Sequence, residues 1–461
     1  MGSMGNEART TAGGYHVLTW GCQMNDEDSE QIGLFLEEAG YRPVDDPLEA
    51  DLVLLNTCSV RAKPEQKVYS KLGELREAKL RRPDMVIGVC GCMAQVESAE
   101  IRRRAPFVDL IVGTGNLGAI PDLVRRARER ARDGGDGGPI VSLDLPERRG
   151  AVVTDIPMRN VLRRPKLKAH VPIMYGCDKF CTFCIVPHTR GRERSRPTAE
   201  ILAEVRALAR AGTREVTLLG QTVNSYGKNL AEGRVPFARL LEQIDAIPGL
   251  QRIRFTSPYP RDFTDDLIDA IARLPKVCEH VHLPVQVADD VLLQRMHRGY
   301  TVDRYRTIVA KLRDAVPGIA ITTDLMLGFP GETEEQFRNT LRFVEEIRFD
   351  QAFMFAYSPR PGTPAAAMPD QVPHDVKVAR LTELIETQNR IAAQINRSLV
   401  GQTFEVLVES RSPRDPSRLT GLTRTFKTVV FPGDERLIGR LVQVRATEGS
   451  LTGFHGELVG D

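Results

Sequence analysis

The chain has 461 residues, of which 41% are hydrophobic and 27% charged, a composition that excludes extensive disorder and is typical of several packed domains. Its 63 basic and 61 acidic residues leave a formal net charge of only +2, so any nucleic-acid surface must come from local clusters of charge. The sequence has no export signal and no apolar run close to the roughly 20 residues that span a bilayer, and we therefore expect a cytoplasmic protein.

The first part of the chain, residues 15–131, alternates short apolar runs with segments of helical period. The apolar runs are 15–19, 51–55, 85–89 and 108–112. Strands that alternate with helices predict an open, mostly parallel α/β sheet, in which ligands bind beyond the carboxyl ends of the strands. Cys22, Cys58 and Cys92 each follow such a strand within a few residues. We therefore expect the three cysteines to meet at one edge of the sheet, in reach of a common metal ion or cluster.

A second alternating series begins near Lys168. Its apolar runs are 170–174, 215–219, 253–256, 280–283, 319–327 and 352–356, and helical segments such as 199–211, 265–272, 303–315 and 334–347 separate them. Six strand–helix units predict a partial parallel (β/α)6 barrel, whose functional residues lie on the loops that follow the strands.

The last part of the chain has a different pattern. After a long amphipathic stretch at about 375–396, residues 402–459 contain alternating runs broken by turn residues, without a helical signal. This predicts a small all-β barrel of the size of an OB-fold. A glycine-rich stretch at 132–139 closes the first domain. The sequence thus predicts three domains, at 15–140, 163–397 and 399–459.

Three cysteines directly after the first strand of the barrel series, Cys177, Cys181 and Cys184, have the spacing C-x-x-x-C-x-x-C. Three thiolates on a short loop can hold three corners of a 4Fe–4S cluster and leave the fourth iron open to another ligand. The alternative is structural zinc, for which His188 is the nearest fourth ligand. The spacing favours the cluster, because zinc cysteines usually come as C-x-x-C pairs.

This triplet, preceded by Tyr175-Gly176 and followed by Ile185-Val186-Pro187, resembles the radical-SAM superfamily. Members bind S-adenosyl-L-methionine (SAM) at the open iron and reduce it to a 5′-deoxyadenosyl radical. The motifs GCQMN at 21–25, NTCSVR at 56–61 and GCMAQ at 91–95 resemble the ligand motifs of the radical-SAM methylthiotransferase family. Residues 328–333 and 355–364 are similar to its barrel, and the last segment to its TRAM RNA-binding domain.

The resemblance implies two 4Fe–4S clusters. The metal ligands would be Cys22, Cys58 and Cys92 for an auxiliary cluster, and Cys177, Cys181 and Cys184 for the catalytic one. A first SAM would methylate a sulfur attached to the auxiliary cluster, and a second SAM would yield the radical. Cys90, two positions before Cys92, is expected in the core instead, since the position after Gly91 matches the motif.

Residues 190–196 and 219–227 most resemble the branch that adds a methylthio group to carbon 2 of isopentenyl-adenosine, next to the anticodon in tRNA. This implies tRNA bearing isopentenyl-adenosine, an electron donor such as flavodoxin or ferredoxin, and a sulfur source as partners. Alternatives within the family act on threonylcarbamoyl-adenosine in tRNA or on an aspartate of a ribosomal protein. An alternative of another class is a non-catalytic iron–sulfur RNA-binding protein.

Candidate contacts with SAM lie beside the cluster cysteines and at or just beyond the ends of predicted strands. Phe183 is a candidate to stack near the adenine of SAM or to shield the cluster, and Gln221, Asn224 and Gln286 are candidates for polar contacts with SAM or tRNA, although surface polar residues would look the same. One stretch departs from the family: after Gln286 the usual Ser-Gly-Ser is replaced by Val287-Ala288-Asp289. The role of the missing serine cannot be carried over.

Positive charge is concentrated on both sides of the first barrel strand. The basic residues there are Arg159, Arg163, Arg164, Lys166, Lys168, Arg190, Arg192, Arg194 and Arg196. Charge runs are often only solvated faces, but two runs beside a proposed active site favour phosphate contact. Arg192 and Arg194, with Arg424 and Lys427 of the all-β segment, are the candidate RNA contacts; the alternative is that Phe426 is barrel core and both charges beside it are solvated.

Overall fold

The computed structural model describes residues 12–59, 62–134, 138–146, 156–157, 159–160 and 163–460. Val60 and Arg61 of the motif at 56–61, and 135–137 of the glycine-rich stretch, lie outside the described residues. The chain divides into two compact units. The first unit comprises Met1–Arg163, Tyr175–Asp178 and Ile185–Arg194, and the second comprises Arg164–Met174, Lys179–Cys184 and Ser195–Asp461. The predicted domain boundaries are a finer division than this one and stay predictions.

The first unit is built on a six-stranded parallel sheet. Its strands are β1 (Gly13–Trp20), β2 (Tyr41–Pro43), β3 (Leu52–Thr57), β4 (Val86–Gly91), β5 (Leu110–Val112) and β6 (Ile140–Ser142), in the order β2-β1-β3-β4-β5-β6. Its main helices are α1 (Gln23–Glu38), α2 (Ala62–Arg81), α3 (Cys92–Arg104) and α4 (Ile120–Arg132). The open parallel sheet predicted from the sequence is confirmed.

The central strands of this sheet are apolar on both faces. Every residue of β3 and β4 is buried, which is typical of parallel strands covered by helices on both sides. Alternate residues separate into two cores, so that Val53 and Leu55 pack on one face and Leu52 and Leu54 on the other. Cys90 is fully buried in the second of these cores, where the sequence placed it.

The second unit contains six parallel strands in two sheets of three. The first sheet has the order β11-β10-β7 and the second β12-β13-β14. The strands are β7 (Lys168–Pro172), β10 (Glu215–Leu219), β11 (Arg252–Phe255), β12 (His280–His282), β13 (Ala320–Leu327) and β14 (Gln351–Ala356). A parallel bridge between Ile253 and Val277 lies between the two sheets. The predicted partial (β/α)6 barrel is confirmed.

Helices accompany these strands and pack on one continuous apolar core. They are α6 (Thr198–Arg210), α7 (Phe237–Asp245), α8 (Asp265–Arg273), α9 (Asp290–Arg295), α10 (Val302–Ala315), α11 (Glu334–Ile347) and α12 (His374–Ser398). Between β7 and α6 the chain forms β8 (Met174–Tyr175), α5 (Val186–Arg190) and β9 (Arg194–Ser195). No helix in the described ranges is long and apolar enough to cross a bilayer.

A closed five-stranded barrel completes the second unit. Its strands are β15 (Thr403–Arg411), β16 (Arg418–Thr423), β17 (Thr428–Pro432), β18 (Leu441–Gly449) and β19 (Gly453–Leu458), in the order β15-β16-β17-β19-β18. Alternate residues such as Val406, Val408 and Leu419 fill its interior together with Phe431 and Phe454. The predicted small all-β barrel is confirmed.

Candidate functional site

The three cysteines of the first unit lie at one edge of its sheet. The strands β1, β3 and β4 are adjacent and parallel, and their last residues are in register, Trp20 beside Thr57 and Thr57 beside Gly91. Cys22, Cys58 and Cys92 follow these strand ends within two residues. The Cys58 thiol is hydrogen-bonded to the thiols of both Cys22 and Cys92. The three sulfur atoms therefore form a contiguous group, which the strand pattern of the sequence predicted.

Hydrogen bonding within this group favours thiolates. The hydrogen bond from Cys58 lowers the pKa of Cys22 to about 5 and that of Cys92 to about 7, and the nearby charge of Arg190 lowers both further. The pKa of Cys58 is raised, first by its bond to Cys22 and then by its bond to Cys92, because it keeps the proton that its neighbours share. Thiolates are the form in which cysteine binds iron.

Two asparagines and one glycine of the cysteine motifs fix these loops. The Asn25 carboxamide oxygen accepts the Cys22 N–H at 3.3 Å, and the Asn25 amide donates to Asn56 Oδ1 at 3.2 Å. Gly91 has φ of +88°, and a Cβ there would lie 2.3 Å from Asn56 Oδ1. Only glycine therefore allows β4 to turn into α3 at Cys92 beside the buried Asn56.

Arg190, predicted as part of a basic surface, is instead buried beside these cysteines. It is 4% exposed and its guanidinium lies 2.6 Å from the Asp28 carboxylate. Burial opposes the charge of both groups. The pKa of Asp28 is nevertheless raised only to about 6, because Arg190 offsets part of the desolvation. A contact between Arg190 and phosphate does not fit this position, and the residue serves as a positive charge close to Cys22 and Cys92.

The neighbouring arginines of this run differ in exposure. Arg194 is 3% exposed, with its guanidinium 5.9 Å from the centre of the Tyr175 ring. Arg196 is buried and pairs with Glu204 at 2.8 Å. Arg192 is the exposed member and lies 2.7 Å from Asp178. Of the two arginines predicted here as RNA contacts, the position of Arg192 suits that role and the buried position of Arg194 does not.

The second cysteine group lies on the loop after β8. The Cys177 N–H donates to the Gly191 carbonyl at 3.1 Å within the first unit. Gly176 has φ of +69°, and a Cβ there would lie 2.4 Å from the same carbonyl, which explains the Tyr-Gly-Cys sequence. Cys181 and Cys184 belong to the second unit, where the Cys184 N–H donates to the Cys181 carbonyl at 2.9 Å in a tight turn.

A segment that the sequence did not single out holds this loop. The Thr182 N–H donates to the Met296 carbonyl at 3.1 Å, and the Thr182 hydroxyl donates to the Arg295 carbonyl at 2.9 Å. Two residues further on, the Arg298 guanidinium donates to the Cys181 sulfur at 3.5 Å. No spacing or motif marks these residues in the sequence, since each contact depends on how α9 packs against the barrel.

The loop is also anchored by a charge network. The Lys179 amine lies 2.6 Å from the Asp262 carboxylate, which also accepts the Ser225 hydroxyl at 2.8 Å and lies 3.1 Å from the Lys228 amine. Burial alone would raise the pKa of Asp262, but Lys179, Ser225 and Lys228 together lower it to about 2. Asp262 therefore stays ionised and connects the cysteine loop to the loops after β10 and β11.

The candidate SAM contacts lie near these loops. Phe183 is half-buried and packs against the barrel core. The Asn224 carboxamide accepts the Tyr259 N–H at 2.7 Å and donates to the Tyr259 carbonyl at 2.9 Å, and it thereby positions the loop after β11. Gln286 is buried at positive φ and its backbone pairs with β13, while Gln221 is partly exposed. Their contacts with SAM stay predictions.

The departure from the family pattern at 287–289 has a structural role. Val287 and Ala288 are buried, and the Asp289 carboxylate accepts the N–H groups of Val291 and Leu292 at 3.1 Å as the N-cap of α9. Capping by aspartate stabilises a helix by about 1 kcal/mol. This stretch therefore sets the start of the helix that leads into the segment holding Thr182.

The predicted RNA contacts of the small barrel pack against the larger one. Arg424 forms hydrogen bonds to the Glu279 carboxylate, the shortest at 2.7 Å, and Lys427 is buried and lies 2.7 Å from Asp350. Phe426 stacks on His280 with ring centres 4.6 Å apart. Contact between RNA and Arg424 or Lys427 does not fit this arrangement, because both charges are paired with carboxylates and only 22% of the Arg424 side chain and 6% of the Lys427 side chain are exposed. Phe426 is likewise neither an exposed base platform nor part of the small barrel's core.

Three family profiles match the chain. The Radical SAM superfamily matches residues 171–344, and the TRAM domain matches residues 397–459. Residues 14–113 match the family described as "Uncharacterized protein family UPF0004". The three matches follow the parallel sheet, the partial barrel and the small barrel in chain order.

Relatives match over nearly the whole chain. The tRNA-2-methylthio-N(6)-dimethylallyladenosine synthase of Moorella thermoacetica is 50% identical over 447 residues, which are 96% of this chain and 98% of the relative. Proteins of the same name from Carboxydothermus hydrogenoformans and Syntrophomonas wolfei are 49% and 46% identical. These two matches cover 96% and 97% of this chain, and 99% and 98% of the relatives.

Solved structures share the fold at low sequence identity. The radical S-adenosylmethionine methyltransferase TsrM from Kitasatospora setae has a TM-score of 0.54 at 18% identity, over 76% of this chain and 73% of TsrM. The cobalamin-dependent S-adenosylmethionine radical enzyme OxsB has a TM-score of 0.51 at 13% identity, over 82% of this chain and 58% of OxsB. These likenesses concern the fold alone. The identity with the curated relatives shows that the chain belongs to the radical-SAM methylthiotransferase family.

Proposed function

We propose that the chain inserts a methylthio group at carbon 2 of isopentenyl-adenosine, next to the anticodon in tRNA. The observation that carries the proposal is the match of 46–50% identity over nearly the full length to relatives named for the corresponding product. The same names favour this substrate over threonylcarbamoyl-adenosine and over a ribosomal protein. Of the parts that the reaction needs, the radical centre and the RNA-binding domain correspond to the matched Radical SAM superfamily and TRAM domain. The third part, the sulfur carrier, is assigned to the three cysteines within residues 14–113.

Cys177, Cys181 and Cys184 are proposed to hold the radical-SAM cluster. When bound, this 4Fe–4S cluster supplies one electron to SAM and so generates the 5′-deoxyadenosyl radical. The protein's own contribution is to hold the loop by Thr182 and to keep Lys179 on Asp262. A non-catalytic iron–sulfur protein would gain nothing from an iron without a protein ligand.

Cys22, Cys58 and Cys92 are proposed to hold the auxiliary cluster, which supplies the sulfur. Their residues fit such a group, because three adjacent thiols with lowered pKa at Cys22 and Cys92 are soft anionic donors beside the charge of Arg190. Among the described residues, no group of three or more Cys, His or carboxylate side chains already has the arrangement of a site for a metal ion. The proposal therefore rests on the adjacency and the chemistry of the thiols. Cys22 is exposed, whereas Cys58 and Cys92 are buried, so access would be at Cys22.

The remaining partners belong to the same proposal. A low-potential electron donor and a sulfur source complete the reaction, which takes place in the cytoplasm on tRNA that already bears isopentenyl-adenosine. Of the predicted RNA contacts, Arg192 is the exposed one and is retained here.

The test is mass spectrometry of nucleosides from tRNA incubated anaerobically with the reconstituted chain, SAM, sulfide and dithionite. We expect the methylthio derivative of isopentenyl-adenosine with wild-type protein and none with Cys92→Ser. Transcript tRNA without the isopentenyl group is the matched control and should remain unmodified. A methylthio derivative of threonylcarbamoyl-adenosine alone would reassign the substrate.

A further inference from the structure

The guanidinium of Arg298 is buried in the second unit without a carboxylate partner among the residues that the structure describes. Only 7% of the residue is exposed. It donates to the Cys181 sulfur at 3.5 Å, to the Pro284 carbonyl at 3.0 Å and to the Tyr300 hydroxyl at 3.2 Å. Because arginine remains protonated at all ordinary pH values, the interior here holds a full positive charge.

Two tyrosine rings enclose this charge. The guanidinium carbon lies 4.8 Å from the centre of the Tyr259 ring and 5.4 Å from that of Tyr300. The Tyr259 hydroxyl donates to the Arg298 carbonyl, and the Tyr300 hydroxyl donates to the Val285 carbonyl at 2.8 Å. A cation–π contact contributes about 0.5–2 kcal/mol, whereas an unpaired buried charge costs several kcal/mol. The rings position the guanidinium but do not neutralise it, so the site requires an anion.

We infer that Arg298 is a positioning residue that sets the reduction potential of the radical-SAM cluster, through a charge-assisted hydrogen bond to the Cys181 thiolate. The inference rests on the proposed ligation of that cluster by Cys181. Thiolate ligation makes the cluster the anion that the guanidinium requires, and hydrogen bonds to the ligating sulfur raise the reduction potential of such clusters.

The direction of the effect follows from charge. An oxidised 4Fe–4S core with three thiolates carries one net negative charge, and uptake of one electron gives it two. A nearby positive charge therefore stabilises the reduced cluster more than the oxidised one. The electron comes from an external low-potential reductant, which is dithionite in the test, and no bond forms or breaks in this step.

The test is a redox titration followed by electron paramagnetic resonance. It uses the full-length chain with Cys22, Cys58 and Cys92 replaced by alanine, so that a single cluster reports. Adding Arg298→Met should make the potential more negative. At the potential where half of the parent's cluster is reduced, about a tenth or less of the cluster in the Arg298→Met variant should be reduced. This tenfold change in the ratio of reduced to oxidised cluster corresponds to ~59 mV for one electron.

Two further variants separate charge from packing. Arg298→Lys keeps the charge and should stay closer to the parent potential than Arg298→Gln, which keeps only hydrogen bonding. Arg306→Met is the control, because its guanidinium is exposed on α10 and paired with Glu346 at 2.8 Å, and its loss should leave the potential unchanged.

An unchanged potential in Arg298→Met with a full complement of iron would overturn the inference. If Arg298→Met takes up no iron, the lysine and glutamine variants decide, and equal potentials in those two would also overturn it. Failure of the parent variant to bind iron would instead overturn the ligand set at Cys181, and this inference with it.

Discussion

Arg190 and Asp28 form a buried ion pair of 2.6 Å in the first unit, and both residues are at most 5% exposed. The pair lies within electrostatic reach of Cys22 and Cys92, whose thiolates Arg190 stabilises. It therefore has two separable effects: the pair contributes to folding, and the guanidinium alone contributes positive charge to the cysteine group.

Replacing Arg190 by methionine should destabilise the apo-protein by about 3 kcal/mol, because Asp28 is left buried without its partner. Adding Asp28→Asn should restore most of the lost stability, which is measured by urea unfolding of the apo-protein. Both variants should bind less iron at Cys22, Cys58 and Cys92 than the wild type, since both lack the positive charge of Arg190 beside these cysteines. Arg125→Met, on the exposed face of α4, is the control and should change neither quantity. Recovery of iron together with stability in the double variant would show that Arg190 acts only through folding.

Cys90 and Cys92 lie two residues apart at the end of β4, and replacing each one tests which of them binds the auxiliary cluster. Cys92→Ser should bind about half the wild-type iron and still form 5′-deoxyadenosine, but yield no methylthio product. Cys90→Ser should keep full iron and product, because Cys90 lies in the apolar core, where burial raises the pKa of its thiol. Iron per chain and product by mass spectrometry are the measurements. Loss of iron in Cys90→Ser at unchanged folding would reassign the ligand.

Glu332 should make stability depend on pH. Burial raises its pKa from 4.5 to about 7, although the Gly328 N–H and Arg380 act in the opposite direction. Since the folded-state pKa is above the unfolded value, the stabilisation is fully present below pH 4.5 and is lost as pH rises through about 7. Between pH 5 and 8 we expect a loss on the order of 2 kcal/mol that Glu332→Gln removes. Urea unfolding at the two pH values measures it, and an equal slope in both proteins would contradict it.

The sequence was sufficient to predict that Cys22, Cys58 and Cys92 lie at one edge of a parallel sheet, although it did not predict the order of the strands. Parallel strands end at a common edge, so a cysteine after each strand has one available location. The positions of Arg190 and Arg298 could not be predicted in the same way. A buried arginine and a solvated one look alike in a charge run, and only the tertiary contacts with Asp28 or Cys181 distinguish them.

In the small barrel, too, the sequence predicts the strands but not the tertiary contacts. Its strands were predictable from alternation, but the direction of the turn 423–427 was not. Phe426 has φ of +64° and lies against His280, so this turn faces the larger barrel. Buried Arg252 reaches Glu405 at 2.9 Å, and Arg254 donates to the Thr423 carbonyl at 2.7 Å. These contacts join β11 to strands of the small barrel that lie far from it in the chain, so no local pattern in the sequence indicates them.

This packing predicts that Arg424 and Lys427 contribute to the stability of the second unit. In the pair Arg424→Ala, Lys427→Ala, the carboxylates of Glu279 and Asp350 lose their partners. We expect the melting temperature to fall by several degrees, because one of these pairs is buried. The affinity for tRNA should keep its salt dependence, since both charges are paired with carboxylates and the two side chains are only 22% and 6% exposed. Arg445→Ala is the control, because its pair with Glu457 is exposed on the small barrel and should be worth little.

For Arg192→Ala we expect weaker salt dependence of tRNA binding and unchanged stability, the reverse of the pair at Arg424 and Lys427. Its side chain is about half exposed beside Asp178, and loss of one phosphate contact should reduce the log–log salt slope of tRNA binding by about one while the melting temperature stays unchanged. Binding measured at several salt concentrations, together with thermal unfolding, separates the two roles. A slope reduced by about two in Arg424→Ala, Lys427→Ala at unchanged melting temperature would instead return both residues to the RNA surface and imply that the turn 423–427 leaves the larger barrel when tRNA binds.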